Sequence, residues 1–435
     1  MGKMADRIEA LTRAALRLRR MPAHERSRVL QGVSDRLRAA REEFAALLCR
    51  EVRKPIRDAR REVDRAVFTF SWAAQEALRF GGEWLPLDHD QASEGRFALV
   101  RRFPRGACLF ITPFNFPLNL VAHKVAPAMA VGAPFLLKPA PQAPKTALRL
   151  GELLLESGWP EEASAVVPCS NEEAEALVRS ESFAVLSFTG SAGVGWRLKG
   201  LAGRKHVVLE LGGTACAVVC ADADLAWAAA RCAVGAFSYA GQVCISVQRI
   251  LVEAPAYEEF KRLFLEKTRA LKAGAPEEEG TDVGPLIDSA AAARVEAWIQ
   301  EAVSGGARAL AGGERRKDLI LPSVLEDVPP GCRLSREEAF GPVVCLERVA
   351  SPAEALGRVS EGAYGLQAGV FTRDIKTVLC AWEEAEVGGL IVNDVPTYRS
   401  DAMPYGGVKL SGTGREGVRW AMQEFTEPRT LVLKR

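Results

Sequence analysis

The sequence predicts an α/β protein of two units, each built on a largely parallel sheet. Three observations carry this. Short, nearly all-apolar runs alternate with helical segments from Gly106 onward, the pattern of βαβ units whose strands are buried on both faces. The alternation pauses at Gly212-Gly213 and resumes at Ala215, which marks a junction between two such units. The chain of 435 residues is about three times a typical ~150-residue domain, so two or three domains are expected.

The elements follow in order. Up to Gly81-Gly82 the chain reads as helices: Leu11, Ala14, Ala15 and Leu18, then Val29, Leu30, Val33 and Leu37, recur at helical spacing with arginines between them. Residues 96–102 then have the character of a strand, and 106–112 form an apolar run that stops at Pro113. Residues 133–138 read as a strand, 145–157 as a helix, 164–168 as a strand, 172–179 as a helix and 185–189 as a strand, with 206–211 closing the first unit. The second unit runs from the strand at 215–220 through those at 343–346 and 390–393, and parallel pairing requires right-handed crossovers.

Composition excludes several classes. Fifty-seven Lys+Arg against 55 Asp+Glu leave a net charge of +2, without the basic excess of a general nucleic-acid binder. No stretch approaches the ~18 uninterrupted apolar residues of a membrane span. The richest candidate, 118–137, is broken by His123, Lys124 and two prolines. The N-terminal segment 5–20 mixes Asp6 and Glu9 with five arginines and lacks the form of a signal peptide. Ten cysteines are spread without a C-x-x-C pair beside only four histidines, which argues against a metal site and for reduced thiols in the cytoplasm.

Familiar nucleotide loops are mostly missing. Gly412-Thr-Gly-Arg-Glu-Gly417 matches G-x-G-x-x-G, but only 18 residues follow it, too few to continue a βαβ unit. Gly190-Ser191-Ala-Gly193 is better placed, between an apolar strand and a helix beginning near Val194, where free N–H groups can meet a phosphate; by itself it is also an ordinary strand-to-helix turn. Nine cysteines sit in apolar runs as small hydrophobes, whereas Cys244 lies in Ala240-Gly-Gln-Val-Cys-Ile-Ser, with a glycine that permits close backbone approach. Glu210 interrupts the buried pattern Val207-Val-Leu-Glu-Leu, where desolvation would raise its pKa toward that of a useful base. Asn115 is an amide framed by Pro113 and Pro117. Each of the three also has a plainer reading as a satisfied structural polar group.

In combination these segments are specific. Pro113-Phe-Asn-Phe-Pro117, Lys138-Pro-Ala140, Phe188-Thr-Gly-Ser191, Glu210-Leu-Gly-Gly213, Gly241-Gln-Val-Cys244, Glu337-Glu-Ala-Phe-Gly-Pro342 and Pro404-Tyr-Gly-Gly-Val-Lys409 resemble, in order and spacing, the signatures of the aldehyde dehydrogenase superfamily over nearly the whole chain. The resemblance implies a Rossmann-type cofactor domain over 1–87 and 102–211, with 399–418 packing near it, and an α/β catalytic domain over 212–398. It also implies a small β oligomerisation element from 88–101 and 419–435, and a homodimer or homotetramer.

The implied reaction is NAD(P)-dependent oxidation of an aldehyde to a carboxylic acid. Cys244 would be the nucleophile, the Asn115 amide and the Cys244 N–H would hold the oxyanion, and Glu210 would activate water to hydrolyse the thioester. Relatives that transfer the acyl group to coenzyme A generally lack this glutamate, so it favours hydrolysis. The implied cofactor residues are Thr112, Phe114, Lys138, Pro141, Gly190, Ser191, Leu211, Gly212, Glu338 and Phe340. NAD-preferring relatives often carry Glu where Pro141 stands, so acceptance of NADP is expected. The implied substrate pocket comprises Arg65, Phe116, Leu120, His123, Val243, Ile245, Arg399 and Tyr405. Two arginines there suit an anionic aldehyde, and the motif wording is most similar to the lactaldehyde and phosphonoacetaldehyde branches. Non-phosphorylating glyceraldehyde-3-phosphate dehydrogenases place arginines at the positions of Arg65 and Arg399, but Val243 and Phe116 depart from their pattern. Other readings are a coenzyme A-acylating dehydrogenase, a cysteine-dependent esterase without redox function, and a non-enzymatic relative.

Overall fold

The apolar runs of the N-terminal unit pair in register in a computed structural model, which describes residues 2–435. Five parallel strands lie in the spatial order His206–Glu210, Val185–Thr189, Cys108–Ile111, Phe135–Lys138, Ser164–Val166. A sixth, Gly412–Thr413, adds antiparallel to His206–Glu210. The chain moves one way from Cys108–Ile111 and later returns to its other side. Strand order therefore reverses between Ile111 and Thr189, and such a reversal opens a crevice beyond the carboxyl ends of the strands where ligands collect.

Alternate residues of each strand feed two cores, as a period of two requires. Cys108, Phe110 and Phe135 join the helices Ala23–Ala39, Ile56–Arg79, Asn119–Val131 and Pro144–Glu156. Leu109, Ile111, Leu136 and Phe188 pack on the opposite face with Asn171–Arg179 and Ala192–Leu201. The helix Asn119–Val131 is buried on every side, including Asn119, His123 and Lys124, so its polar groups must find partners within the protein.

Gly212-Gly213 lies between the last parallel strand of the first sheet and the first strand of the second. Ala215–Val219 belongs to a second, seven-stranded sheet ordered Arg308–Ala311, Ser323–Glu326, Val343–Val349, Val247–Glu253, Ala215–Val219, Gln367–Phe371, Gly389–Val392. All neighbours are parallel except the first pair. A third, antiparallel sheet joins Glu83–Pro86, Arg96–Pro104 and Thr426–Lys434. The small β element thus takes in residues 83–86 and 96–104, a wider span than 88–101. The segment that leads into its last strand, the helix Val418–Glu424, instead buries Val418, Ala421 and Met422 in the N-terminal core. The α/β class is as expected from sequence.

One ion pair fixes the two N-terminal layers to the loop that carries Asn115. Lys54, at zero exposure, pairs with Glu62, also fully buried. Its ammonium further donates to the Asn115 carbonyl at 2.7 Å and sits 3.7 Å from the Phe116 ring centroid. Glu62 accepts in turn from the backbone N–H groups of Leu118 and Asn119, at 2.9 and 3.1 Å. Burial pushes the Lys54 pKa down while Glu62 opposes the shift. Removing one partner of such a pair strands a buried charge, at about 3–5 kcal/mol. Lys54→Met is therefore expected to lower Tm by about 4–8 °C in a thermal scan. Lys54→Met/Glu62→Gln should recover part of that loss, whereas Glu9→Ala, which breaks an exposed pair with Arg13, should shift Tm by less than about 1 °C.

Candidate active site

A strained turn delivers Cys244. After the helix Leu225–Phe237, Tyr239, Ala240 and Gly241 take left-handed conformations in succession, at φ 48°, 52° and 68°. For the two non-glycine residues this conformation is costly and must be held by its surroundings. The Tyr239 hydroxyl donates to the Val52 carbonyl at 2.7 Å, and a Cβ on Gly241 would lie 2.2 Å from the Gly341 carbonyl oxygen. The Asn115 amide nitrogen donates to the Gln242 carbonyl at 3.0 Å, which brings it two residues from Cys244 and leaves its second N–H free. The Gln242 side chain is itself fixed, accepting from the Ile287 N–H at 2.9 Å.

The Cys244 sulfur lies 3.2 Å from the Tyr405 hydroxyl. Burial pushes the thiol up to about 12; the Tyr405 contact and the Arg399 charge pull the other way, and Glu338 and Glu210 add to the rise. The resting sulfur is a neutral thiol. Glu210 ends its strand with both carboxyl oxygens buried and without a hydrogen-bond partner. Desolvation first, and then the negative charge of Glu416, hold its pKa well above the usual carboxylate range. Glu338 accepts from the Gly213 N–H at 3.3 Å and is pushed by burial to about 7. Glycine at 212 makes room for it, because a Cβ there would meet a Glu338 oxygen at 2.1 Å.

Beneath these groups runs a buried charge network. Lys124 donates to Glu416 at 2.8 Å and to the Ser187 hydroxyl at 2.7 Å. Arg399 reaches Glu416 at 3.2 Å and stacks 3.8 Å over the Tyr405 ring. Asp401 accepts from Arg65 at 2.6 Å and meets His123 Nε2 at 2.9 Å. Burial works against the charge on Glu416, but Lys124 and Arg399 outweigh it and hold its pKa at about 2. Asp401 is likewise held below its usual range by His123 and Arg65, against desolvation. Both carboxylates have depressed folded-state values, so they stabilise the fold above about pH 4–5 and lose that contribution as pH falls.

The residues expected at the site are brought together unevenly. Ile245, Tyr405, Val243 and Cys244 form one apolar cluster with Leu366, Phe116 stands against Tyr239, and Leu120 is buried. His123 is not at a pocket wall. It has no exposed surface and serves Asp401 instead. Arg65 and Arg399 are not free cations, since each is engaged by a carboxylate; Arg65 keeps 34 % of its side chain exposed and Arg399 only 6 %. Lys124, Asp401 and Glu416 were missed by sequence reasoning. The available signal was Lys124 breaking the longest apolar run and Glu416 inside the glycine motif dismissed as accidental.

The crevice fits a nicotinamide dinucleotide. Lys138 ends its strand almost wholly buried, without a side-chain hydrogen bond among the described residues, and burial lowers its pKa. Thr112 Oγ1 is buried and unpartnered. Ser191 stands at the N-cap of Ala192–Leu201 with its hydroxyl uncommitted, and a Cβ on Gly193 would meet nothing within 4 Å, so that helix end is open to a phosphate. Gly190, Leu211 and Gly212 border the same end of the sheet, and Phe340, at φ 46°, meets Phe114 edge-on at 6.0 Å. Pro141 is exposed just beyond Lys138. The nearby helix Pro144–Glu156 is not open, because Glu51 already accepts from its Lys145 and Thr146 N–H groups.

A thiol on a strained turn, a buried free carboxyl and a crevice at the reversal of a parallel sheet thus lie in one region of the fold. Residues 3–431 match the aldehyde dehydrogenase family, and the chain belongs to that family. It is 44% identical to 3-sulfolactaldehyde dehydrogenase of Priestia megaterium (strain ATCC 12872 / QMB1551), over 94% of this chain and 86% of that one. Among solved structures it is similar to aldehyde dehydrogenase 21 from Physcomitrella patens in complex with the reaction product succinate. That match has a TM-score of 0.98 and 44% identity, over 99% and 90% of the two chains. It is also similar to the glyceraldehyde-3-phosphate dehydrogenase GapN from Methanocaldococcus jannaschii complexed with NADP, at TM-score 0.96 and 36% identity, over 100% and 94%.

A thiol raised to about 12 sets a pH dependence. Alkylation of Cys244 by iodoacetamide, followed by mass spectrometry, should accelerate about tenfold per pH unit from 7 to 10 with no plateau, because only the thiolate reacts. Tyr405→Phe removes a hydrogen bond that favours the thiolate and should slow the reaction about five- to tenfold at each pH. A plateau below pH 9 would contradict the buried neutral thiol.

Proposed function

We propose that this chain oxidises a small aldehyde carrying an anionic group to the corresponding acid, with NAD or NADP as hydride acceptor. The observation that carries the reading is the convergence of the Cys244 thiol, the unpartnered Glu210 carboxyl and the Asn115 amide at the mouth of the crevice. Cys244 releases its proton to solvent and its sulfur adds to the aldehyde carbon, the carbonyl π electrons passing to oxygen to give a thiohemiacetal oxyanion. The free Asn115 N–H and the Cys244 N–H donate to the oxyanion, and one such donor is worth about 3–4 kcal/mol of barrier. A bound nicotinamide cofactor supplies the two-electron acceptor that turns this adduct into a thioester. Glu210 takes a proton from water, which attacks the acyl carbon and releases the acid and the thiol.

Arg65, the more exposed arginine, and Arg399, whose Nε is buried without a hydrogen bond, support recognition of the substrate's anion. Phe116, Val243, Ile245 and Tyr405 would form the apolar walls around the carbonyl. Sulfolactaldehyde, in the name of the Priestia relative, and succinate, in the moss structure, are both anionic, which is consistent with this reading. Lys138, Ser191, Glu338 and Phe340 would hold the cofactor, with Lys138 near the adenosine ribose. Pro141 presents no carboxylate to repel a 2′-phosphate, which favours acceptance of NADP. No helix among the described residues is long and apolar enough to cross a membrane, and all ten cysteines are free; we place the enzyme in the cytoplasm. The strand Thr426–Lys434, paired on one side and exposing Leu431, Val432 and Leu433, is the proposed homo-oligomer contact.

The test is absorbance at 340 nm with either cofactor across neutral and anionic short aldehydes. Cys244→Ala should abolish reduction, and NADP should work within about a hundredfold of NAD in kcat/KM. Arg65→Ala should raise KM for anionic aldehydes about ten- to hundredfold, the worth of a charged hydrogen bond, and change neutral ones less than about twofold. Equal effects on both sets would refute the anion assignment.

Glu416→Gln provides an independent check on the base. It removes a negative charge that raises the Glu210 pKa and leaves Lys124 and Arg399 facing it. Glu210 then ionises more easily. The rising limb of thioester hydrolysis, measured by stopped flow, is expected to move to lower pH in this variant.

A further inference from the structure

Four arginines converge at the opposite end of the N-terminal sheet from the crevice. Arg19 closes the helix Gly2–Arg20, Arg26 lies in Ala23–Ala39, and Arg101 and Arg102 are consecutive on Arg96–Pro104. Together with Phe80 and Thr426 they line a cavity of about 50 Å³ that has no acidic side chain in its wall. Val131 and Pro104, also on its wall, precede the strands Phe135–Lys138 and Cys108–Ile111, so the cavity sits at the amino ends of the sheet.

The charges there are poorly compensated, with Glu424 acting on Arg102 from outside the cavity wall. Among the described residues none of the four makes an ion pair, whereas Arg105 next door reaches Glu427 at 3.9 Å. Their protein acceptors are neutral: Arg26 donates to the Met21 carbonyl, and Arg102 to the Thr426 hydroxyl and to the carbonyls of Gln423 and Thr426. Arg19 Nε and Arg26 Nε are buried with no acceptor at all. Burial, and then the like charge of Arg101, depress the Arg26 pKa, yet a guanidinium stays charged in proteins. Unpaired donors in a cluster of like charge are expensive to bury. Guanidinium groups match the geometry of tetrahedral oxyanions. The volume equals about three to five water sites at roughly 10–15 Å³ each, room for one such ion.

We propose that this cavity is a binding site for a small dianionic oxyanion, phosphate or sulfate, which joins the first two helices to the small antiparallel sheet. The bound ion neutralises the cluster and supplies acceptors for the two orphaned Nε–H groups. This site is separate from the aldehyde chemistry.

The test is thermal unfolding of the full chain in chloride at fixed ionic strength, with chloride replaced stepwise by phosphate or by sulfate, and calorimetric titration of the same ions. The expected result is a saturable heat in the titration, which gives Kd, and a rise in Tm that grows with the logarithm of ion concentration above it, about 2 °C at ten times Kd. Arg101→Gln and, separately, Arg19→Gln should abolish the rise while leaving Tm in chloride equal to or above that of the unaltered protein, because repulsion is relieved. Aldehyde oxidation should be unchanged in both. No saturable binding heat, or no rise in Tm, would overturn the proposal. So would a rise that persists in both variants, which would locate the ion elsewhere, such as the cofactor crevice. Loss of oligomer in Arg101→Gln without any anion effect would also overturn it, assigning the cluster to a carboxylate of a second copy.

Discussion

Glu416 is the point on which the architecture turns. It is a carboxylate with almost no contact with water, held between Lys124 of the central buried helix and Arg399 of the segment that leads to Tyr405. Without it two cations would stand unpaired beside Glu210, a burial that no hydrophobic contact offsets. With it each cation has a partner, and its charge adds to desolvation in raising the Glu210 pKa, against the lowering by Arg399, Lys124 and Arg415. Arg399 in turn lies flat on the Tyr405 ring, and the Tyr405 hydroxyl meets the Cys244 sulfur. One buried carboxylate thus reaches both proposed reacting groups through neighbours from three distant parts of the chain.

The surroundings of Cys244 follow a different rule. Burial raises the Cys244 pKa, which in the resting protein disfavours the thiolate. What surrounds it is nevertheless built for charge once water is excluded: a free amide hydrogen on Asn115, a hydroxyl on Tyr405 and a guanidinium behind that hydroxyl. In a dry site such fixed dipoles act more strongly than in water and need no rearrangement. The left-handed run from Tyr239 to Gly241 is part of the same design. Tyr239 is held by a hydrogen bond to the third helix and by the Lys54 ammonium over its ring, so the strain of the turn is borne by the N-terminal layers.

Much of this was legible in the sequence because it is encoded locally. Strands buried on both faces announce themselves as apolar runs, and the break at Gly212-Gly213 falls where one sheet gives way to the other. Cys244, Glu210 and Asn115 stood out because each violates the pattern around it. Partnerships across long separations left no such trace. Lys124 and Glu416 are 292 residues apart, and Lys124 registered only as an interruption in a hydrophobic segment. The glycine-rich stretch around Glu416 failed as a nucleotide loop, as its position requires, yet supplies the strand beside Glu210 and the carboxylate of the network. His123 was grouped with the substrate pocket because a sequence cannot display Asp401, which engages it; nor can it show that Asp401 also holds Arg65 and that Glu416 holds Arg399, so that both proposed anion-binding arginines already have a partner. The helix Val418–Glu424 was grouped with the strand that follows it, since nothing local shows that its apolar face enters the N-terminal core.

That helix has a consequence for how the protein is made. The N-terminal core contains residues from Ala14 to Phe425, and the sheet it covers is completed only by Gly412–Thr413. On a ribosome, the second unit lies entirely between these contributions and emerges while the first is still missing one wall and the anion that neutralises Lys124. Closing so long a loop delays the reward of native contacts until residues 412–425 have been made. The first half is therefore a late-maturing body despite emerging first, with exposed apolar surface of the kind that chaperones hold. A premature stop at any codon from 414 to 425 would leave both sheets nearly whole in outline and still deny the nascent chain its finished core.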